Sequence, residues 1–182
     1  MRSFHKRYDY IIKKLGNFID VSGLTVVDCA CGEGDGSVHF HKLTCDVTGV
    51  DIDKNCIAIA KKAFPGLAFR TESILSMSLL DDFADIFVCS ETMEHLNPKQ
   101  SRYAVKEIKR VCKPHAYICI TVPNNKKTCL AKKLHKQYLS LADLRGYFSE
   151  YEMIHNSVFY KNPVKKNRGN TVVIFRRHSN EN

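Results

Sequence analysis

Near the start of the chain, apolar residues fall at positions 4, 8, 11, 12, 15 and 18, a helical period that predicts an amphipathic helix over Phe4–Phe18. Val26 to Ser37, VVDCACGEGDGS, then changes character: a β-branched run and an acid give way to small residues with glycine at every second place. Glycine costs backbone entropy in strands and helices alike, so the segment reads as a strand ending in a tight turn, with Ser37–Leu43 opening a helix. Such a turn lets the main chain pass close to a ligand, and the free N–H groups of the helix face the same place. Asp46–Asp51 reads as a second strand, Asp53 opens a helix carrying Ile57, Ala58, Ala60 and Ala63, and Leu67–Arg70 is a short third strand. Asp85–Ser90, DIFVCS, is almost continuously apolar, as expected of a central parallel strand covered on both faces. Pro98–Val111 is another amphipathic helix with Pro114 as its stop, and His115–Val122 is a fifth strand. Gln137–Phe148 predicts a last helix with Ser140 as cap and Asp143 three residues on, before closing strands at Tyr151–Tyr160 and Thr171–Arg177. The alternation predicts an α/β fold.

The glycine turn is not the dinucleotide fingerprint G-x-G-x-x-G, because the small residues run Ala30, Gly32, Gly34, Gly36 and Ser37 stands where a third glycine is needed. Asp51 lies 23 residues after Asp28, at the tip of the second strand. There a carboxylate of a βαβ nucleotide site accepts from both ribose hydroxyls, while Asp53 is better placed to cap the next helix. The segment resembles motif I of class I S-adenosylmethionine (SAM)-dependent methyltransferases, D-x-G-x-G-x-G, with Asp28 as its acid and Ala30 replacing the first glycine. ACGEGDGS is similar to the ACGEG-x-GS of small bacterial and phage methyltransferases associated with glycan modification.

That resemblance covers about residues 4–177 and implies a Rossmann-like, seven-stranded, mainly parallel sheet with helices on both faces and an antiparallel last strand. It implies SAM as cofactor, held around Asp28, Ala30, Gly32, Gly34 and Asp51, with Ile52 and Ser90 at neighbouring strand ends. An H-x-RY-like element, matched by His5, Arg7 and Tyr8, would lid the amino-acid end of the cofactor, and Glu72 and Ser73 stand where the family reads G-D-A beside adenine.

Glu91-Thr92-Met93-Glu94-His95-Leu96 follows the central strand, where substrates and catalytic groups gather in open α/β sheets. In a helical turn, Glu91, Glu94 and His95 stand at i, i+3 and i+4 and converge. Two carboxylates and an imidazole suit a general base, His95 assisted by Glu91 and Glu94, or a divalent-metal site, or simply a helix start with a packed histidine. E-x-x-E-H-L resembles the glycan-linked subgroup, quinone-pathway O-methyltransferases and the metal-dependent 2′-O-methyltransferases of small RNAs. The last of these implies Mg²⁺ or Mn²⁺ on Glu91, Glu94, His95 and a later histidine in an H-K-like segment, matched by His135-Lys136.

At 182 residues, 44% of them hydrophobic, the chain fits one domain over 1–182: an N-terminal lid at 1–20, a cofactor-binding core at 21–122 and substrate-side loops and closing strands at 123–182. Eight cysteines without a C-x-x-C pair read as small buried hydrophobes in a reducing compartment. No apolar run approaches the roughly 18 residues of a membrane span, and no apolar signal-like segment follows the charged start, so a cytoplasmic protein is expected. The formal charge of +9 is uneven: residues 1–98 hold ten Lys/Arg and fourteen Asp/Glu, residues 99–182 eighteen and five. Lysines at 126, 127, 132, 133, 136, 161, 165 and 166, with Arg168, occupy loop-like segments that would attract an anion, or serve as ordinary solubilising charge. The expected function is SAM-dependent methylation of a hydroxyl on a sugar, nucleotide-sugar or other small anionic acceptor. The alternatives are RNA 2′-O-methylation, a non-catalytic subunit that binds SAM or nucleic acid, and an NAD(P) oxidoreductase that the glycine spacing disfavours. No cysteine nucleophile for pyrimidine C5 methylation and no N/D-P-P-Y/F tetrad stands in the sequence.

Overall fold

The computed structural model describes residues 3–160 and 169–177, so the basic positions Lys161, Lys165, Lys166 and Arg168 lie outside it. Helix α1 (Ser3–Leu15) buries Arg7, Tyr8, Ile11 and Leu15 along one stripe. It ends at Leu15, three residues before the predicted boundary, and Phe18 is left exposed beyond it. The parallel strands are β1 (Thr25–Cys29), β2 (Asp46–Asp51), β3 (Ala68–Thr71), β4 (Ala84–Ser90) and β5 (Cys112–Pro123). With β6 (Tyr151–Tyr160) and β7 (Gly169–Arg177) they form one sheet in the order β3-β2-β1-β4-β5-β7-β6, in which β7 alone runs against its neighbours.

Helices occupy most of the connections between strands, since parallel neighbours need a crossover. They are α2 (Ser37–His41), α3 (Lys54–Ala63), α4 (Pro98–Val111), α5 (Lys126–Leu130) and α6 (Leu141–Tyr147). The caps explain several boundaries. Asp53 accepts from Asn55 N at the start of α3, and Asn97 with Gln100 and Ser140 with Asp143 form capping boxes on α4 and α6. Gln137–Leu139 therefore lie outside the last helix rather than in its first turn. Pro114 does not end α4 by following it: β5 already starts at Cys112, and Pro114 sits in a bulge where the pairing with β4 slips and His115 takes a φ of 67°.

Strand order reverses between β1 and β4, whose Cys29 and Cys89 are register partners at the carboxyl edge of the sheet. A crevice opens there in open α/β sheets. Both strands leave the sheet through a non-glycine residue in the left-handed region, Ala30 (φ 60°) after β1 and Glu91 (φ 57°) after β4. An L-residue there costs on the order of 1 kcal/mol, so surrounding contacts must hold it. At Glu91 those contacts are visible: its N–H donates to the Thr121 carbonyl (2.9 Å) and to Thr121 Oγ1 (3.1 Å) on β5.

The N-terminal helix is tied to this edge by Asp28, which has no exposed surface and accepts from Tyr8 Oη and Ser37 Oγ, both at 2.6 Å. Tyr8 lies so close to the glycine turn that a Cβ on Gly36 would stand 2.2 Å from its ring. Gly36→Ala should displace Tyr8 and with it α1, destabilising the fold by about 1–3 kcal/mol in chemical denaturation; an unchanged midpoint would mean that α1 does not rest on the turn.

Burial pushes the Asp28 carboxyl up to about 6, outweighing the two hydroxyls that lower it, against about 3.9 in an unfolded chain. Between those values the folded state binds more protons than the unfolded state, so this group's contribution to stability falls as pH rises from about 4 to 6. Asp28→Asn removes that slope, and relative to the wild type it should gain roughly 3 kcal/mol between pH 4 and pH 7. Parallel stability curves for the two proteins would show that Asp28 does not titrate in this window.

Candidate functional site

Three cavities meet at Ala30. The first, about 200 Å³, lies beyond the ends of β1 and β2 and is lined by Asp51, Ile52, Glu72, Ser73, Leu75 and Leu96, among others. Asp51 Oδ2 accepts from Gly32 N (2.8 Å) and Oδ1 from Asp53 N (2.9 Å), which fixes the carboxylate against the glycine turn. An ionised carboxylate offers about four acceptor positions, so two remain for a ligand diol. Ile52 presents an exposed apolar side chain to the same cavity. Glu72, expected beside adenine, spends its carboxylate locally: it accepts from Ser78 N (2.9 Å) and Ser78 Oγ and stands 3.9 Å from Arg70. Ser73 Oγ accepts from Leu75 N.

A second cavity, about 320 Å³, runs along the turn beneath Tyr8, between Gly32, Gly36 and Ser90. Gly32 and Gly34 both have positive φ (57° and 84°), which is why glycine is needed at these two places. Helix α2 is only five residues long, shorter than the expected Ser37–Leu43.

The third cavity, about 680 Å³, extends from Ala30 and Gly32 to Glu91, Glu94, His95 and the loop Lys132–His135. Glu91 does not share a helical turn with the other two; its left-handed backbone precedes a 3₁₀ turn, Met93–His95, and its carboxylate lies 3.7 Å from the buried Arg7 guanidinium. Glu94 is 1% exposed, and among the described residues neither carboxyl oxygen has a hydrogen-bond partner. Burial, and then the charge of Glu91, raise its carboxyl to about 8. One ligand atom each from Glu94, His95 and His135 lie within 4.8 Å of one another; Glu91 is outside this group.

His135 reaches His95 because the loop is fastened to the 3₁₀ turn. Lys136 N and Gln137 N donate to the Glu94 carbonyl (2.8 and 3.3 Å), and Gln137 Nε2 donates to the Met93 carbonyl (3.1 Å) and Ser101 Oγ (2.6 Å). The two imidazoles meet edge to face at 4.8 Å. Burial, Lys132 and His95 all lower the pKa of His135. Of the basic loop residues, Lys132 and Lys133 line the cavity, whereas Lys126, Lys127 and Lys136 are not in its lining. The pattern of the sequence does not single out Gln137 or Thr92, which line or fasten this edge through backbone-dependent contacts. The side chain of His5 lies outside the described residues, while Tyr8 lines the second cavity and Arg7 the third.

Residues 26–115 match the family described as "Methyltransferase domain". A demethylmenaquinone methyltransferase of Chlorobaculum tepidum is 30% identical over 140 residues, covering 73% of this chain and 57% of that protein. A ubiquinone biosynthesis O-methyltransferase of Rickettsia bellii is 25% identical over 143 residues, with the same coverage. The chain thus spans about half the length of these relatives. Among solved structures, a SAM-dependent methyltransferase from Methanosarcina mazei superposes with a TM-score of 0.78 at 19% identity, over 91% of this chain and 97% of that one. An N-methyltransferase from Bradyrhizobium japonicum in complex with S-adenosylhomocysteine has a TM-score of 0.78 at 14% identity, over 94% and 86%. Among the described residues no helix is long and apolar enough to cross a membrane. Residues 26–115, just under half of the chain, match the methyltransferase-domain family, and the fold around them is the one shared with these solved methyltransferases.

Proposed function

We propose that the protein transfers the methyl group of SAM to a hydroxyl of a small anionic acceptor, a nucleotide-linked sugar or acidic glycan, with a divalent cation beside the acceptor. What carries this reading is the junction of the third cavity, where the glycine turn, the Glu94–His95–His135 cluster and Lys132 and Lys133 share one space. Its volume of about 680 Å³ is that of a small-molecule pocket.

The residues present fit SAM. The remaining acceptor positions of Asp51 suit vicinal ribose hydroxyls, Ile52 offers a flat base an apolar face, and Gly32 and Gly36 present bare backbone to the second cavity. Asp28 supports the turn from beneath, and Arg7, Tyr8 and Ser90 border the end that an amino-acid tail would reach. SAM supplies an electrophilic methyl group, and the protein's part is to align the acceptor with it and relieve that acceptor of a proton.

The residues also fit a cation. A buried carboxyl with two unpartnered oxygens carries a desolvation penalty that a bound ion would offset. Glu94, His95 and His135 would hold it, and the nitrogen donors favour Mn²⁺ over Mg²⁺. A cation there would supply Lewis-acid chemistry, lowering the proton affinity of the acceptor hydroxyl. Glu91, held by Thr121 and beside Arg7, borders the same cavity as a second carboxylate. Lys132 and Lys133 attract and orient the acceptor's anionic group.

Calorimetry should show SAM binding to the wild type and a loss of about 1.5–3 kcal/mol in Asp51→Ala; equal affinities would remove Asp51 from the ribose site. Methyl-labelled SAM offered with a panel of nucleotide sugars, acidic glycans and RNAs should label a small anionic acceptor. Chelator should abolish that transfer and Mn²⁺ restore it while SAM affinity stays constant. Full activity in chelator would assign the proton transfer to His95 and Glu94 without a metal.

A further inference from the structure

Cys129 lies in the last turn of α5 and is 1% exposed. Its Sγ lies 3.2 Å from His135 Nδ1, and its S–H donates to the Gln137 carbonyl at 3.4 Å. A thiol has one hydrogen, and a carbonyl oxygen can only accept. In the arrangement that satisfies both contacts, the S–H points to Gln137, the sulfur meets His135 as an acceptor, and His135 carries its proton on Nδ1. The same logic holds at the other ring: His95 Nδ1 faces the Leu134 carbonyl at 3.2 Å, so that nitrogen is the donor. In both imidazoles the proton is drawn to Nδ1, away from the other ring nitrogen, Nε2.

We propose that Cys129 is a positioning residue which, by accepting the Nδ1–H of His135, fixes that ring's tautomer and orientation so that its Nε2 lone pair serves the cluster with Glu94 and His95. This rests on the cluster's role as a cation site, and it adds a residue that touches neither cation nor substrate. A ligating histidine is ordinarily oriented by an acceptor on its other ring nitrogen, most often a carboxylate or carbonyl. Here His95 uses a carbonyl and His135 uses a buried thiol. Sulfur is a weak acceptor, but the sulfur sits inside the packed end of α5, so its position is well defined.

Two measurements separate this role from simple packing. In cation-free ¹⁵N-labelled protein at pH 8, imidazole nitrogen shifts should report the Nδ1–H form of His135 in the wild type and in Cys129→Ser, whose hydroxyl can both donate and accept. Cys129→Val, which keeps the buried apolar volume and the backbone of residue 129 but removes the side-chain acceptor, should move His135 toward the Nε2–H form, and Cys129→Ala should do the same. An unchanged His135 tautomer in both apolar variants overturns the proposal. Calorimetric titration with Mn²⁺ should show about 10–100-fold weaker binding to Cys129→Val, recovery to within a few-fold in Cys129→Ser, and no further loss when Cys129→Val is added to His135→Ala. Undiminished Mn²⁺ affinity in Cys129→Val also overturns it. A wild type that takes up no Mn²⁺ would instead overturn the cation reading, and the tautomer result alone would then decide whether Cys129 sets the ring.

Discussion

The carboxylate of Asp28 is the constraint on which the rest of the edge depends. It is fully buried, at the end of β1, and its two oxygens accept hydrogen bonds from the hydroxyls of Tyr8 on α1 and Ser37 on α2. These bonds bring the N-terminal helix, the first strand and the glycine turn to one point. Removing either hydroxyl would leave a buried acceptor under-satisfied, at a cost on the order of 1–3 kcal/mol. The position of Tyr8 then requires Gly36, and the helix that carries Tyr8 also carries Arg7 to within 3.7 Å of Glu91. Support for the glycine turn and a cation beside Glu91 therefore come from neighbouring residues of one helix.

The opposite wall is built by a different device. Glu94 is left in the interior with both oxygens unpartnered, on a 3₁₀ turn whose carbonyl groups fasten the loop that delivers His135. The fold invests backbone and amide hydrogen bonds to bring two histidines against a carboxyl that burial disfavours in its charged form. An arrangement that is costly in isolation and assembled from segments about forty residues apart is what a binding or catalytic group requires, because a bound partner can offset the cost.

Much of the fold is written in the pattern of residues. The β-branched run before the glycines, the apolar DIFVCS strand and the caps at Asp53 and Ser140 lead directly to β1, β4, α3 and α6. Boundaries were set by features the pattern does not weigh: Gly16 ended α1 before Phe18, and the bulge with His115 at positive φ let β5 run through Pro114. At the site, E-x-x-E-H suggests three groups converging on a helical turn, yet Glu91 lies outside it because Thr121 holds its backbone in the left-handed region. The approach of His135 to His95 was suggested by resemblance alone, since no periodicity spans that distance. The contact of Cys129 with His135, six residues on, has no signal in sequence because it depends on how α5 ends and where the loop is fastened.

The most direct test of this account is a crystal of the protein grown with S-adenosylhomocysteine and Mn²⁺, with diffraction recorded at the manganese edge. The expected result is a single anomalous peak coordinated by Glu94, His95 and His135, with the ribose of the nucleoside on Asp51 and its sulfur directed toward the cavity of Lys132 and Lys133. A nucleoside bound away from Asp51, or a cluster that stays free of anomalous signal while the nucleoside is in place, would contradict the central claim that this edge joins a SAM site to a cation-assisted acceptor site.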